Sequence, residues 1–257
     1  MKELIILGRT FIAIAMIAFG IQHFIYLEFV TRVFPVIPLW IPGHAILACV
    51  FGAFLILTGA AILLSIKARL LTVLLGSTIL LMFLLLLLPM LLTNLQNGII
   101  WTNAGKALVL AGANFLVAIS YPEDVAKNNL IQLLEKLLPL GRWLLSGFFI
   151  LAGILHFIYA PFVATLIPNW IPAHLFWTYF AGIALIAGAI GMLIPRTAQL
   201  AATLSAIMVF IWVVILHIPR ALADLHVPNE TTAAFEALTM CGMAILIAVY
   251  AAQRKYK

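Results

Sequence analysis

Four histidines recur in two matched pairs. His23 opens His-Phe-Ile-Tyr and is followed by Ile37-Pro38-Leu39-Trp40-Ile41-Pro42-Gly43-His44. His156 opens the same four residues and is followed by Ile167-Pro168-Asn169-Trp170-Ile171-Pro172-Ala173-His174. The opening histidines are 133 residues apart and the closing ones 130. Two more histidines, His217 and His226, have Leu87 and Gln96 at the corresponding earlier positions. A neutral imidazole can ligate a metal or accept a proton. His44 and His174 follow a helix-starting proline by two residues, and the positive end of a helix dipole disfavours imidazolium there.

One histidine near a membrane surface is most simply a hydrogen-bonding group. Four at matching positions, with two more on the same side, point to a site. The expected site lies in the second copy, built from His156, His174 and His217 as metal ligands or proton acceptors. Trp170 and Tyr159 would line it, and Arg220, Asp224 and Glu236 would supply its polar surround. Helical rise puts His217 about 31 Å above Arg196, His174 about 31 Å above Pro195 and His156 about 21 Å above Arg142. His23 and His44 would form a degenerate copy. Histidines alone leave three ligands open: a transition metal, a haem or a quinone head group. Lys106 and Glu236 occupy matching positions with opposite charge. Snorkelling to the surface is the expectation for both, with a pair across the two copies as the alternative.

These residues must be held by membrane-spanning helices. The chain is 66% hydrophobic and 9% charged, with mean hydropathy +1.22, whereas soluble domains carry about 25% charged residues. Eight apolar runs are each near the roughly 20 residues a bilayer crossing needs, at about 8–27, 43–66, 68–92, 102–120, 140–159, 173–194, 197–219 and 232–251. They do not alternate apolar and polar, which excludes a barrel. The first run is too long for a signal-peptide core and lacks a cleavage site. The net charge of +6 does not indicate nucleic acid. Eleven of the fourteen Lys and Arg fall in loops on one side, leaving Arg32, Lys106 and Arg220 on the other. That asymmetry predicts cytoplasmic termini and an outward-facing histidine side, in a bacterial-type cytoplasmic membrane. Cys49 and Cys241 sit in separate runs without a Cys-x-x-Cys, so dithiol chemistry is not expected.

The repeat extends to Gly8/Gly141, Gly52/Gly182, Pro89/Pro219 and Gly112/Gly242. It predicts an all-α polytopic fold of two parallel four-helix bundles, residues 1–120 and 140–257. The pseudo-twofold would run along the membrane normal. Residues 121–139 form a linker whose Leu130–Leu138 stretch is amphipathic and suited to lying flat on the cytoplasmic surface. Small residues such as Gly182, Gly188 and Gly191 mark close helix contacts. The run Leu84–Leu88 is expected to face lipid.

At these residues the chain resembles the DoxX family of four-helix membrane proteins. The resemblance lies in His-Phe ending the first helix, the Pro-x-Trp-x-Pro loop, the glycine-rich second helix (Gly182 to Gly191 in the later copy) and an arginine, Arg69 or Arg196, starting the third. It implies two such units fused in tandem. Many members carry a glutamate early in the second helix, where this chain has Leu55 and Leu185, so a proton-linked role for that group does not transfer. The family is named for a subunit of a thiosulfate:quinone oxidoreductase. The resemblance therefore implies a quinol- or quinone-linked oxidoreductase component, with the lipid bilayer as its setting. The alternative is a non-enzymatic transporter of small solutes or lipids, or a scaffold for an outer-face partner enzyme. The absence of paired broken helices and of buried charge at mid-membrane speaks against transport.

Overall fold

The computed structural model describes residues 1–34, 41–122, 128–223 and 228–255. Pro38 and Trp40 of the first Pro/Trp loop, and Asp224 and His226, lie outside the described residues. Among the described residues every regular element is helical, with eight helices long and apolar enough to cross a membrane. It is a multi-pass membrane protein. The spanning helices are Lys2–Tyr26, His44–Leu64, Ala68–Thr93, Gly98–Ile119, Leu140–Ile158, His174–Leu193, Ala198–Ala223 and Pro228–Lys255. They are numbered one to eight below.

Neighbours in sequence pack together in succession, and the first helix also packs along the eighth, closing a ring. The fourth and eighth helices meet each other at its centre. Their hydropathic windows are 78% and 72% buried, against 28% to 44% for the other six. The two four-helix units are thus built into one body.

Glycines set the closest crossings. A methyl group on Gly20 would lie 2.6 Å from the Gly52 carbonyl oxygen, and one on Gly153 would lie 2.7 Å from that of Gly182. Between the units, a methyl on Gly242 would lie 2.7 Å from the Gly8 oxygen, and one on Gly141 would lie 2.8 Å from that of Gly112. All four crossings repeat across the two halves. Hydrocarbon gives little drive for helices to associate, so backbone-to-backbone contact of this kind supplies dispersion that larger residues would prevent.

The third and seventh helices each carry a five-residue π-turn, Phe83–Leu87 and Val213–His217. Each lies just before a proline, Pro89 or Pro219. Proline has no N–H to give the carbonyl four residues earlier and its ring collides with it, and the wider turn absorbs both effects. The turn divides the Leu84–Leu88 run. Leu84 and Leu85 are exposed as expected of a lipid face, but Leu87 points into the core.

The helix starts after the Pro/Trp loops differ from expectation. The second and sixth helices begin at His44 and His174, not at Pro42 and Pro172. Gly43 and Ala173 intervene in the left-handed conformation, with φ 77° and 58°. The prolines end the loop, and the reversal after them sets each histidine as the first helical residue.

At the opposite end the linker is fastened down. Its helix, Asn129–Glu135, is tied by Glu135 to Arg69 Nε at 2.7 Å. Arg69 also donates to the Tyr121 carbonyl at 2.8 Å, and the Arg9 guanidinium stacks 3.6 Å over the Tyr121 ring. Leu130 and Leu133 face outward, while Leu138 is buried.

Candidate functional site

His23 and His156 are held the same way. Each Nδ1 lies 2.7 Å from the carbonyl oxygen one turn earlier, of Phe19 and Ala152 respectively. A carbonyl only accepts, so Nδ1 carries the proton and, in the neutral ring, Nε2 keeps the lone pair. The surroundings of Nε2 then decide what each histidine can do.

In the first half that nitrogen is sealed. His23 is fully buried, with Phe29, Phe34 and Phe51 rings at 5.4, 5.3 and 5.7 Å. Its Nε2 has no hydrogen-bond partner among the described residues. No ligand can reach it without displacing a phenylalanine.

In the second half the same place is open. The 133- and 130-residue offsets put Ala152 where the first half has Phe19, and Ala181 where it has Phe51. Two benzyl groups become methyls, and a cavity of about 1400 Å³ stands there. Ala152, Ala181, His156, Tyr159, His217, Trp177 and Trp212 line it. Asn94, Gln96, Asn97 and Asn229 also line it, near the helix ends. Phe148, Phe149, Leu185 and Met208 line the apolar part. Phe148 is eight residues before His156, so the apolar wall reaches about 12 Å deeper than the histidine. His217 enters through the π-turn, where Leu87 fills the first half, and its buried Nδ1 lacks a partner among the described residues.

A charged group completes the wall. Glu236 accepts from Arg32 Nε at 3.0 Å through Oε1, and Lys106 Nζ lies 2.9 Å from its Oε2. Lys106 and Glu236 are almost wholly buried, and all three residues line the cavity. The snorkelling expected of Lys106 and Glu236 is thereby corrected: they pair across the pseudo-twofold. Each is eight residues into its helix, so the pair lies about 12 Å below the helix starts. Arg32 comes from the loop after the first helix. Two basic side chains thus share one carboxylate.

The expected three-histidine metal centre is not assembled. His156 and His217 share the cavity, but His174 lines a separate hollow of about 540 Å³ with Asn169, Pro172 and Phe176. Among the described residues no three His, Cys, Asp or Glu side chains come close enough to hold a metal ion. The cause is the helix start at His174, which leaves that residue beside the loop. His44 is the matching half-buried first residue of the second helix. Trp170 is 71% exposed and does not line the cavity. Tyr159 does, with its ring against Gly98. Arg220 is engaged by Glu230, donating at 2.6 Å and 2.9 Å, and donates to the Leu166 carbonyl at 3.4 Å. Asp224 lies outside the described residues.

Sequence reasoning missed Arg32, Ala152 and Ala181. The alanines were detectable in principle, because aligning the halves on their histidines sets each opposite a phenylalanine. Nothing in the sequence marks Arg32 as a partner of Glu236, 204 residues away.

The profile of a family described as a Domain of unknown function (DUF8561) matches residues 145–253. That stretch runs from the fifth helix through the eighth and carries His156, His217 and Glu236. No curated protein and no solved structure matches the chain.

Proposed function

We propose that the chain is a quinone-linked component of a membrane oxidoreductase whose second half holds the ligand. The observation that carries this is the cavity of about 1400 Å³ lined by His156, whose Nδ1 is engaged by the Ala152 carbonyl, above an apolar wall. Ligand sites commonly span about 300–1,000 Å³ with few polar groups on apolar walls. A quinone has that division, with a polar ring and an isoprenoid tail. His156 Nε2 is suited to accept a quinol hydroxyl proton. A quinone fits better than a metal, since two histidines share the cavity among the described residues. The kinship to DoxX proteins belongs to the same proposal, as do cytoplasmic termini, an outward mouth and a bacterial-type inner membrane.

The test is quinone titration of the protein in lipid nanodiscs, read by tryptophan fluorescence, since Trp177 and Trp212 line the cavity. Saturable quenching that Ala181→Phe removes supports the reading. No saturable quenching ends it. A Soret band that sharpens on dithionite reduction would replace quinone by haem.

Two observations favour a second reading, transport of an amphipathic solute. The third and seventh helices are interrupted at matching positions, and a charge group is buried among the helices. Both features recur in transporters. Accumulation of the solute inside sealed vesicles would favour this reading over the first.

A further inference from the structure

We infer that the cavity recognises an oxyanion: its ligand is an apolar body carrying a carboxylate or phenolate, held at Arg32 and Lys106. The inference rests on the cavity being a ligand site, and it narrows the chemistry of the head group.

Charge balance is the first ground. Glu236 answers one of the two cations at 2.9 Å and 3.0 Å, and no other acidic side chain lines the cavity among the described residues. With both basic side chains charged, Glu236 answers one of them, and an anion in the cavity would meet the other. The donors are the second ground. Arg32 uses only Nε on Glu236, and a guanidinium has five N–H donors in a planar fork. Its side chain is 32% exposed, so the remaining donors are reachable from the cavity it lines.

His156 supplies the third ground. A phenol arriving neutral can transfer its hydroxyl proton to His156 Nε2. The products are an imidazolium and a phenolate, an oxygen anion of the kind the Arg32–Lys106 wall would accept. A carboxylate arrives already ionised and needs no transfer. Both sources present the same chemistry, an oxygen anion on an apolar body.

The test uses full-length protein in phosphatidylcholine nanodiscs and two probe pairs. One pair is cis-parinaric acid and its methyl ester. The other is a decyl-substituted benzoquinol and its dimethyl ether. The expected result is that one free probe binds at least roughly tenfold tighter than its capped partner, the order of gain for a charge-assisted hydrogen bond. The favoured pair identifies the source. Arg32→Gln should shrink that preference, and Glu236→Gln, which removes the competing carboxylate, should enlarge it. A purely structural triad predicts no such opposite signs.

Equal binding of free and capped probes in both pairs overturns the inference while leaving the cavity as a ligand site. A preference unchanged in both variants also overturns it. Should no probe bind, or should binding ignore Ala181→Phe, the cavity reading falls and the inference with it. The comparison of free and capped probes on the unaltered protein does not depend on any variant folding.

Discussion

Lys106 and Glu236 stand at matching positions of two halves that otherwise repeat, and their charged groups meet at 2.9 Å where the fourth and eighth helices cross. Duplication alone would put like residues at both places, and two like charges could not share that space. Opposite charge makes the centre of the ring an attachment between halves. It also makes the halves unequal, because Arg32 joins from the first half only.

Glu236→Gln should therefore destabilise the protein more than Lys106→Gln. The first leaves two cations without their carboxylate, while after the second Arg32 still answers Glu236. Breaking a buried pair costs about 3–5 kcal/mol, and partial exposure of Arg32 keeps the expected loss near the lower end. Thermal unfolding in detergent should show the larger drop in Tm for Glu236→Gln. The reverse order would mean that Arg32 does not answer Glu236 once Lys106 is gone.

Gly153→Ala should separate the fifth and sixth helices. Its added carbon would stand 2.5 Å from Ile186 Cγ1 and 2.7 Å from the Gly182 oxygen. Overpacking of this kind costs about 1–3 kcal/mol. Gly147→Ala, six residues earlier on the same helix, meets nothing within 4 Å. It should gain up to about 1 kcal/mol from helix propensity alone. Unfolding of the two variants side by side checks the contrast, and equal effects would remove the close crossing as the cause.

Phe51→Ala and Ala181→Phe should behave asymmetrically. Truncating Phe51 empties packed space around His23 and should cost about 3–5 kcal/mol. The added ring of Ala181→Phe enters the existing cavity, so it should change Tm little and abolish ligand binding. Unfolding curves and the quinone titration together read both effects. A large Tm loss for Ala181→Phe would show that the cavity wall does not yield to the ring.

The helical fold was legible because a run of about 20 apolar residues has few other solutions in a chain so poor in charge. The glycine pairs were legible as repeats. That Gly8 meets Gly242, and Gly141 meets Gly112, was not, since equivalent positions in sequence do not say which helices touch. His156 and His217 line one cavity, as two residues near helix ends on the same side can. His174 was misplaced by depth alone. Helical rise fixes height along an axis and is silent about the azimuth around it, so His174 and His217 at similar height need not share one cavity. The Lys106–Glu236 pair was misjudged because snorkelling is a single-residue preference, and a partner on a central helix overrides it.

That distinction between height and azimuth sets the last prediction. His23 and His156 open the same four residues and His174 closes the loop that follows His156, yet of these three only His156 lines the large cavity. His156→Ala should weaken quinone binding about tenfold, the order expected for one hydrogen bond of roughly 1.4 kcal/mol. His174→Ala should leave the affinity within about twofold, since its hollow is separate. His23→Leu should do the same, because its Nε2 is closed off by phenylalanine rings and already unpaired among the described residues. Fluorescence titration of the three variants in parallel reads all three affinities. If His174→Ala weakened binding as much as His156→Ala, the two would share a ligand and the site would have to extend to the Pro/Trp loop. If none of the three mattered, the repeated histidines would be packing inherited by duplication, and the cavity would bind through its charged wall alone.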